Sequence, residues 1–223
     1  MNIFENEIYK IEYFVSGFLS NNSYLISSKK SGHATIIDVP ENPRDLLSKI
    51  QRNKIDKSLN QEKIKVIITH GHYDHIEGLD LLLDRMGTIY IAIGLKDSRY
   101  ITNNENLLPI LKDDSIINGD ITLKALLTPG HTEGSMCLLF EPNDDSKFLF
   151  TGDTLFPGGP GKTSSSINFE SIYNSIKNKI YSLPEGTKIL PGHGKFTDIR
   201  ESKREFKNFN LKSHIFGDVT WDS

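Results

Sequence analysis

The stretch THGHYDHIEG, residues 69–78, places His70, His72, Asp74 and His75 within six positions. The run KVIITH leading into it, apolar at Val66, Ile67 and Ile68, reads as a buried strand. Beyond it Ile76, Leu79, Leu82, Leu83 and Met86 recur at helical spacing. The motif is therefore the turn between a strand and a helix, where a tight bend can aim several side chains at one point. Imidazole nitrogens and carboxylate oxygens are borderline-to-hard ligands that suit Zn(II), Fe(II) or Mn(II) without any thiolate. The plain alternative is a polar loop with surface histidines, and the other strand ends argue against it.

The same arrangement returns three times. ITLKALLTPGH ends a strand at His131, KFLFTGD ends one at Asp153, and TKILPGHG ends one at His193. Each of these residues stands beside glycine, where backbones can approach a common centre, and five of the seven histidines are then accounted for. Upstream, KIEYFVSG, NSYLISS and HATIIDV read as strands, the last ending at Asp38. NPRDLLSKI reads as a short amphipathic helix with Asn42 as N-cap and Pro43 in the first helical position. The polar stretch Asn53 to Lys63 is expected to be a surface loop. NFESIYNSIKNKIYSL carries Phe169, Ile172, Tyr173, Ile176 and Ile180 at the period of another amphipathic helix.

Composition narrows the classes. A chain of 223 residues suits one domain over 1–223, with 199–223 as a C-terminal helix and tail belonging to it. No apolar run approaches the ~20 residues of a membrane helix, and a net charge of −3 argues against a nucleic-acid partner. The opening MNIFENEIYK lacks the basic end and apolar core of a secretory signal, and a single cysteine, Cys137, cannot close an internal disulfide. A cytoplasmic location is the expectation.

In this order, and preceded by IIDV, the motifs THGHYDH, TPGH, TGDTLF and PGHG resemble the signature of the metallo-β-lactamase superfamily, most closely its glyoxalase II-like (hydroxyacylglutathione hydrolase-like) branch. The resemblance runs from about Asn22 to Gly194. It implies an α/β fold, the four-layer αββα sandwich, with a dinuclear metal site at one edge. Position by position, it implies that His70, His72 and His131 hold one metal, that Asp74, His75 and His193 hold the other, that Asp153 bridges them, and that Asp38 orients ligands from behind. Two divalent ions are expected, zinc first, with iron or manganese as alternatives. They would share a water and lower its pKa from about 15.7 toward about 7, so that hydroxide bridging the metals attacks while Asp74 orients it or takes its proton. The reading is a hydrolase acting on a small thioester, monomeric or homodimeric.

Rival branches separate on single residues. The commoner β-lactamases resemble a pattern with cysteine where Asp153 stands and no His75. RNA-processing members need an added domain, and flavin-linked oxygen reductases carry glutamate where His72 stands. Persulfide dioxygenase, which uses one iron on the equivalents of His70, His131 and Asp153, is the alternative reading.

Other features take ordinary roles. GGPGKT is no phosphate loop, because Phe156 stands where a Walker motif requires glycine. The resemblance places a basic residue, here Lys162, at the substrate mouth. Cys137 in SMCLLF reads as buried in a strand, and His33 and His214 fall outside every motif. The tail is expected to form a helix packing Phe206 and Phe209, then an aromatic segment. The resemblance gives glyoxalase II a longer helical domain that helps hold glutathione; no counterpart is expected in 199–223, which leaves the carrier thiol open.

Overall fold

The computed structural model describes residues 1–55, 63–87, 89–102, 105–142, 145–211 and 215–222, the side chains of 53–55 excepted. Seven strands form the first sheet: β1 (Asn2–Glu5), β2 (Tyr9–Ser16), β3 (Asn21–Ser28), β4 (Ala34–Ile37), β5 (Ile64–Ile68), β6 (Tyr90–Gly94) and β7 (Leu107–Ile110), in sequential order. Pairing is antiparallel from β1 to β4 and parallel from β4 to β7. The second sheet has the order β15-β14-β11-β10-β9-β8, from β8 (Asp114–Asn118), β9 (Ile121–Leu127), β10 (Met136–Phe140), β11 (Phe148–Gly152), β14 (Lys188–Pro191) and β15 (Thr197–Asp198). A small hairpin, β12 (Leu155–Phe156) and β13 (Gly159–Pro160), stands apart.

Alternation along the strands builds the layers. On β5, Ile67 points into the space between the sheets, whereas Val66 and Ile68 point outward onto α1 (Arg44–Ile55) and α3 (Leu79–Met86). On β10, Met136, Leu138 and Phe140 face inward, while Cys137 and Leu139 face α4 (Ser166–Ser175) and α5 (Ile199–Phe206). Three apolar clusters result, one between the sheets and one beneath each helical layer, which is the αββα sandwich that the motif resemblance implies. Burying each such side chain contributes about 1.5–3 kcal/mol, which is why both faces of β5 and β10 are apolar.

Caps fix the helix starts. Ser165 accepts from the Asn168 amide at 3.2 Å and begins α4, and Asp198 accepts from the Glu201 amide at 3.0 Å and begins α5. α4 continues into a wider π-helical turn over Ile176–Ile180. At α1 the expected cap is displaced by one residue. Asn42 sits at φ 54°, outside the helix, and the Pro43 carbonyl accepts from the Leu47 amide at 2.9 Å. The left-handed Asn42 turns the chain out of the Asp38–Pro40 segment, so Pro43 takes the cap position. α1 also runs on to Ile55, into the stretch expected to be a loop; 56–62 lie outside the described residues.

The tail folds back on the second sheet. Phe206 and Phe209 pack on Trp221 at ring distances of 4.9 and 5.0 Å, and Trp221 is buried. Cys137 is buried as expected, and burial pushes its thiol up to about 11. Among the described residues no helix is long and apolar enough to cross a membrane.

Candidate metal centre

The ligand-type residues sit on loops at the ends of strands along one edge of the sandwich. His70 follows β5, and His72 caps the short helix α2 (Tyr73–Ile76), which carries Asp74 and His75 on its single turn. His131 follows β9, Asp153 follows β11 and His193 follows β14. Clamps from β3 hold the last of these loops. The Tyr24 hydroxyl donates to the Pro191 carbonyl at 2.6 Å, and the Asn22 amide side chain donates to Pro191 and Gly194 carbonyls at 3.0 and 3.1 Å.

Among the described residues three groups of potential ligand atoms result, each with its atoms within 4.8 Å of one another: His70, His72 and His131; Asp74, His75 and His193; and His70, His75 and Asp153. Asp153 faces both sides. Its Oδ1 lies 3.3 Å from His75 Nε2, and its Oδ2 lies 3.5 Å from His131 Nε2 and 3.6 Å from His193 Nε2.

Partners outside the centre orient the rings. Asp38, buried and left-handed at φ 57°, accepts from the Thr69 amide at 2.7 Å, the Thr69 hydroxyl at 2.7 Å and His75 Nδ1 at 2.8 Å. Since the Thr69 hydroxyl donates to Asp38, it accepts from His70 Nδ1, 3.1 Å away. The Lys162 carbonyl accepts a hydrogen bond from His131 Nδ1 at 2.8 Å, and the Leu19 carbonyl accepts one from His193 Nδ1 at 3.1 Å. An imidazole that donates through one nitrogen presents a lone pair at the other. In its neutral form each of these four rings therefore directs an Nε2 lone pair inward, and His72 Nδ1 joins them at 2.8 Å from His131 Nε2 and 3.1 Å from His70 Nε2.

This donor set fits divalent cations. Lone pairs crowded on one another repel until a positive charge stands among them, and Asp153 Oδ1 is buried with no hydrogen-bond partner. Space is kept beside it by glycine: a Cβ on Gly192 would collide with Asp153 Oδ1 and His75 Cε1. Protons show the same pull. Burial opposes the charged form of His75, yet Asp38 and Asp153 raise it well above the ordinary imidazole range; His193 is raised against burial by Asp74 and Asp153. Burial and its neighbouring imidazoles hold His70 well below that range. Burial opposes ionisation of Asp74 and Asp153, but the surrounding imidazoles, with Asn21 at Asp74, keep both lowered. A cation must expel the protons held by His75 and His193, so its apparent affinity rises with pH.

All seven ligand-type residues read from the sequence thus converge, and Asp38 lies behind them. Lys162 is exposed, with Nζ 3.8 Å from Asp218 Oδ2, and its main-chain carbonyl touches the centre through His131. His33 stands at the far end of β4 beside Ser31, and His214 is outside the described residues. Sequence reasoning missed Asn21, fully buried, whose Nδ2 donates to Asp74 Oδ2 at 2.8 Å. It also missed Asp97, which ties the two histidine loops together by accepting from the Gly71 and Gly134 amides and the Thr132 hydroxyl at 2.8, 3.0 and 2.6 Å. In sequence both look like ordinary polar residues, though Asn21 begins β3 and Asp97 lies in the 3-10 helix Leu95–Tyr100.

Residues 16–204 match the model of the metallo-beta-lactamase superfamily, and the chain belongs to that family. Within it, the chain is 32% identical to a hydroxyacylglutathione hydrolase of Dictyostelium discoideum, over 84% of this chain and 69% of that one. It is 28% identical to a probable metallo-hydrolase of Streptococcus pyogenes, over 88% of each. Among solved structures, ETHE1 from Myxococcus xanthus superimposes with a TM-score of 0.68 at 25% identity, covering 87% of this chain and 81% of that one.

Proposed function

We propose that this chain is a dinuclear metal-dependent hydrolase that cleaves a small thioester. One observation carries the reading: Asp153 stands between two complete three-residue clusters, each with ligand atoms close enough to hold a cation. His70, His72 and His131 would hold one ion and Asp74, His75 and His193 the other, with zinc the first candidate on this nitrogen-rich set. Ions bound there would supply a water acidic enough to ionise near neutral pH and would polarise the carbonyl under attack. The chain's own groups do the rest. Asp74, kept anionic by His193 and Asn21, accepts a hydrogen bond from the attacking water and orients it. Asp38 and the Lys162 and Leu19 carbonyls hold three imidazoles in the tautomer that presents Nε2 to the centre. The rival persulfide dioxygenase chemistry uses one iron on His70, His131 and Asp153, which would leave the Asp74, His75 and His193 cluster without employment.

The substrate's carrier thiol is read as a small anionic one, such as glutathione, met by Lys162. Its side chain is exposed and only loosely engaged by Asp218, so a partly solvated ion pair there contributes about 0.2–1 kcal/mol. Carboxylates remote from the scissile bond bind ground and transition states alike. Lys162→Met is therefore expected to raise KM for a glutathione thioester by up to about fivefold while kcat hardly moves. The check is steady-state kinetics at two salt concentrations, the wild-type KM rising more steeply with salt. An unchanged KM on every anionic thioester returns Lys162 to the solvated surface.

A further inference from the structure

The loop Pro157–Thr163 bears on the metal centre at two points. Its Lys162 carbonyl sets the His131 ring, and its Gly161 packs so tightly on the Asp153 carbonyl that a Cβ would overlap it. Locally the segment is held by the pairing of β13 with β12, Leu155 opposite Pro160 and Phe156 opposite Gly159, while at its far end the Gly161 amide reaches the Thr154 carbonyl only at 3.4 Å. Shorter bonds come from the tail. Gly217 and Thr163 exchange both main-chain hydrogen bonds, at 3.0 and 3.1 Å, and the Trp221 amide donates to the Gly158 carbonyl at 2.8 Å. From α5, Glu205 Oε2 accepts from the Gly158 amide at 2.9 Å. Gly159 leaves no room for a side chain against the Val219 carbonyl, 2.8 Å from where its Cβ would stand. The tail is anchored in turn by Val219 and Trp221, both buried against Phe206 and Phe209.

We propose that Gly217 and Trp221 are positioning residues for His131: the tail straps the Pro157–Thr163 loop in place, and the loop fixes the His131 ring. The inference rests on reading His131 as a ligand. It assigns unequal dependence to the two clusters. His75 and His193 are set by Asp38 and by the Leu19 carbonyl, which belong to the other sheet and its turns. Loosening the tail therefore weakens the cluster of His70, His72 and His131 and spares that of Asp74, His75 and His193.

The direct test is Gly217→Pro. Proline removes the N–H given to Thr163 and cannot adopt φ 93°, while among the described residues no atom lies within 4 Å of where a Cβ on Gly217 would stand. Zinc is titrated against a chromophoric chelator. The expected result is loss of about 10–100-fold in affinity at one of two sites, the size seen when a ligand's orienting partner is removed, with the other site within twofold. Trp221→Ala should act alike and Trp221→Phe should restore the wild-type profile. Equal weakening at both sites, or at neither, overturns the strap. Ring 1H–15N spectra of the zinc-free full chain give a second readout independent of metal. The His131 Nδ1–H resonance, present in wild type, is expected to vanish by exchange in Gly217→Pro, and its persistence also overturns the proposal. Should wild type bind fewer than two zinc ions, the ligand reading fails, and the ring resonance alone decides on the strap.

Discussion

Asp153→Ala is expected to lose bound metal and turnover together while leaving the fold in place. The carboxylate faces both clusters, through His131 on one side and His75 and His193 on the other, and its Oδ1 has no hydrogen-bond partner to lose. Without it, two like charges would confront each other across a gap with nothing between them. Removing even an orienting neighbour of a ligand lowers affinity about 10–100-fold, so the loss here should exceed about 100-fold. Elemental analysis after gel filtration reads the metal, and far-ultraviolet circular dichroism with a urea melt reads the fold. Full metal content in Asp153→Ala would show that the clusters hold their ions separately.

Asp38→Asn is expected to lower metal affinity by about 10–100-fold, and the effect follows from one proton. The carboxylate accepts from His75 Nδ1 at 2.8 Å, which leaves Nε2 bare toward the centre. Its other oxygen and the same Oδ2 accept from the Thr69 amide and hydroxyl at 2.7 Å each. An asparagine placed here must turn its oxygen to the Thr69 amide and its NH2 to His75. Nδ1 then becomes an acceptor and the ring proton moves to Nε2, where the cation belongs. Asparagine tolerates the left-handed backbone at φ 57°, so the change in tautomer is separated from strain. Zinc titration measures the affinity, and nitrogen shifts of the His75 ring report the proton. An Asp38→Asn chain that binds zinc as wild type does would remove Asp38 from the account.

The candidate ligands were legible in the sequence because each ends an apolar strand-length run and stands beside glycine or inside the HGHYDH turn. The αββα layers came from the motif resemblance, and the burial alternation of β5 and β10 gives their physical reason. What stayed hidden depends on contacts remote in the chain. Asn21 meets His193 from 172 residues away, and its amide is indistinguishable in sequence from any polar strand residue. Lys162 drew notice for its charge, yet the atom that reaches the centre is its carbonyl, which side-chain chemistry cannot announce. β1 is a four-residue edge strand whose pairing with β2 is interrupted between Asn2 and Phe4, too little pattern to be read. The α1 start was misplaced because Asn42 in the left-handed region serves the preceding turn instead of the helix.

The central claim, two cations on seven ligands serving thioester hydrolysis, is tested most directly by counting metal ions per chain while following thiol release from a glutathione thioester. The account predicts close to about two ions per chain, zinc or zinc with iron, with thiol release rising as the second site fills. One tightly held iron per chain, with oxygen consumed on a persulfide and no thiol released from the thioester, would contradict it.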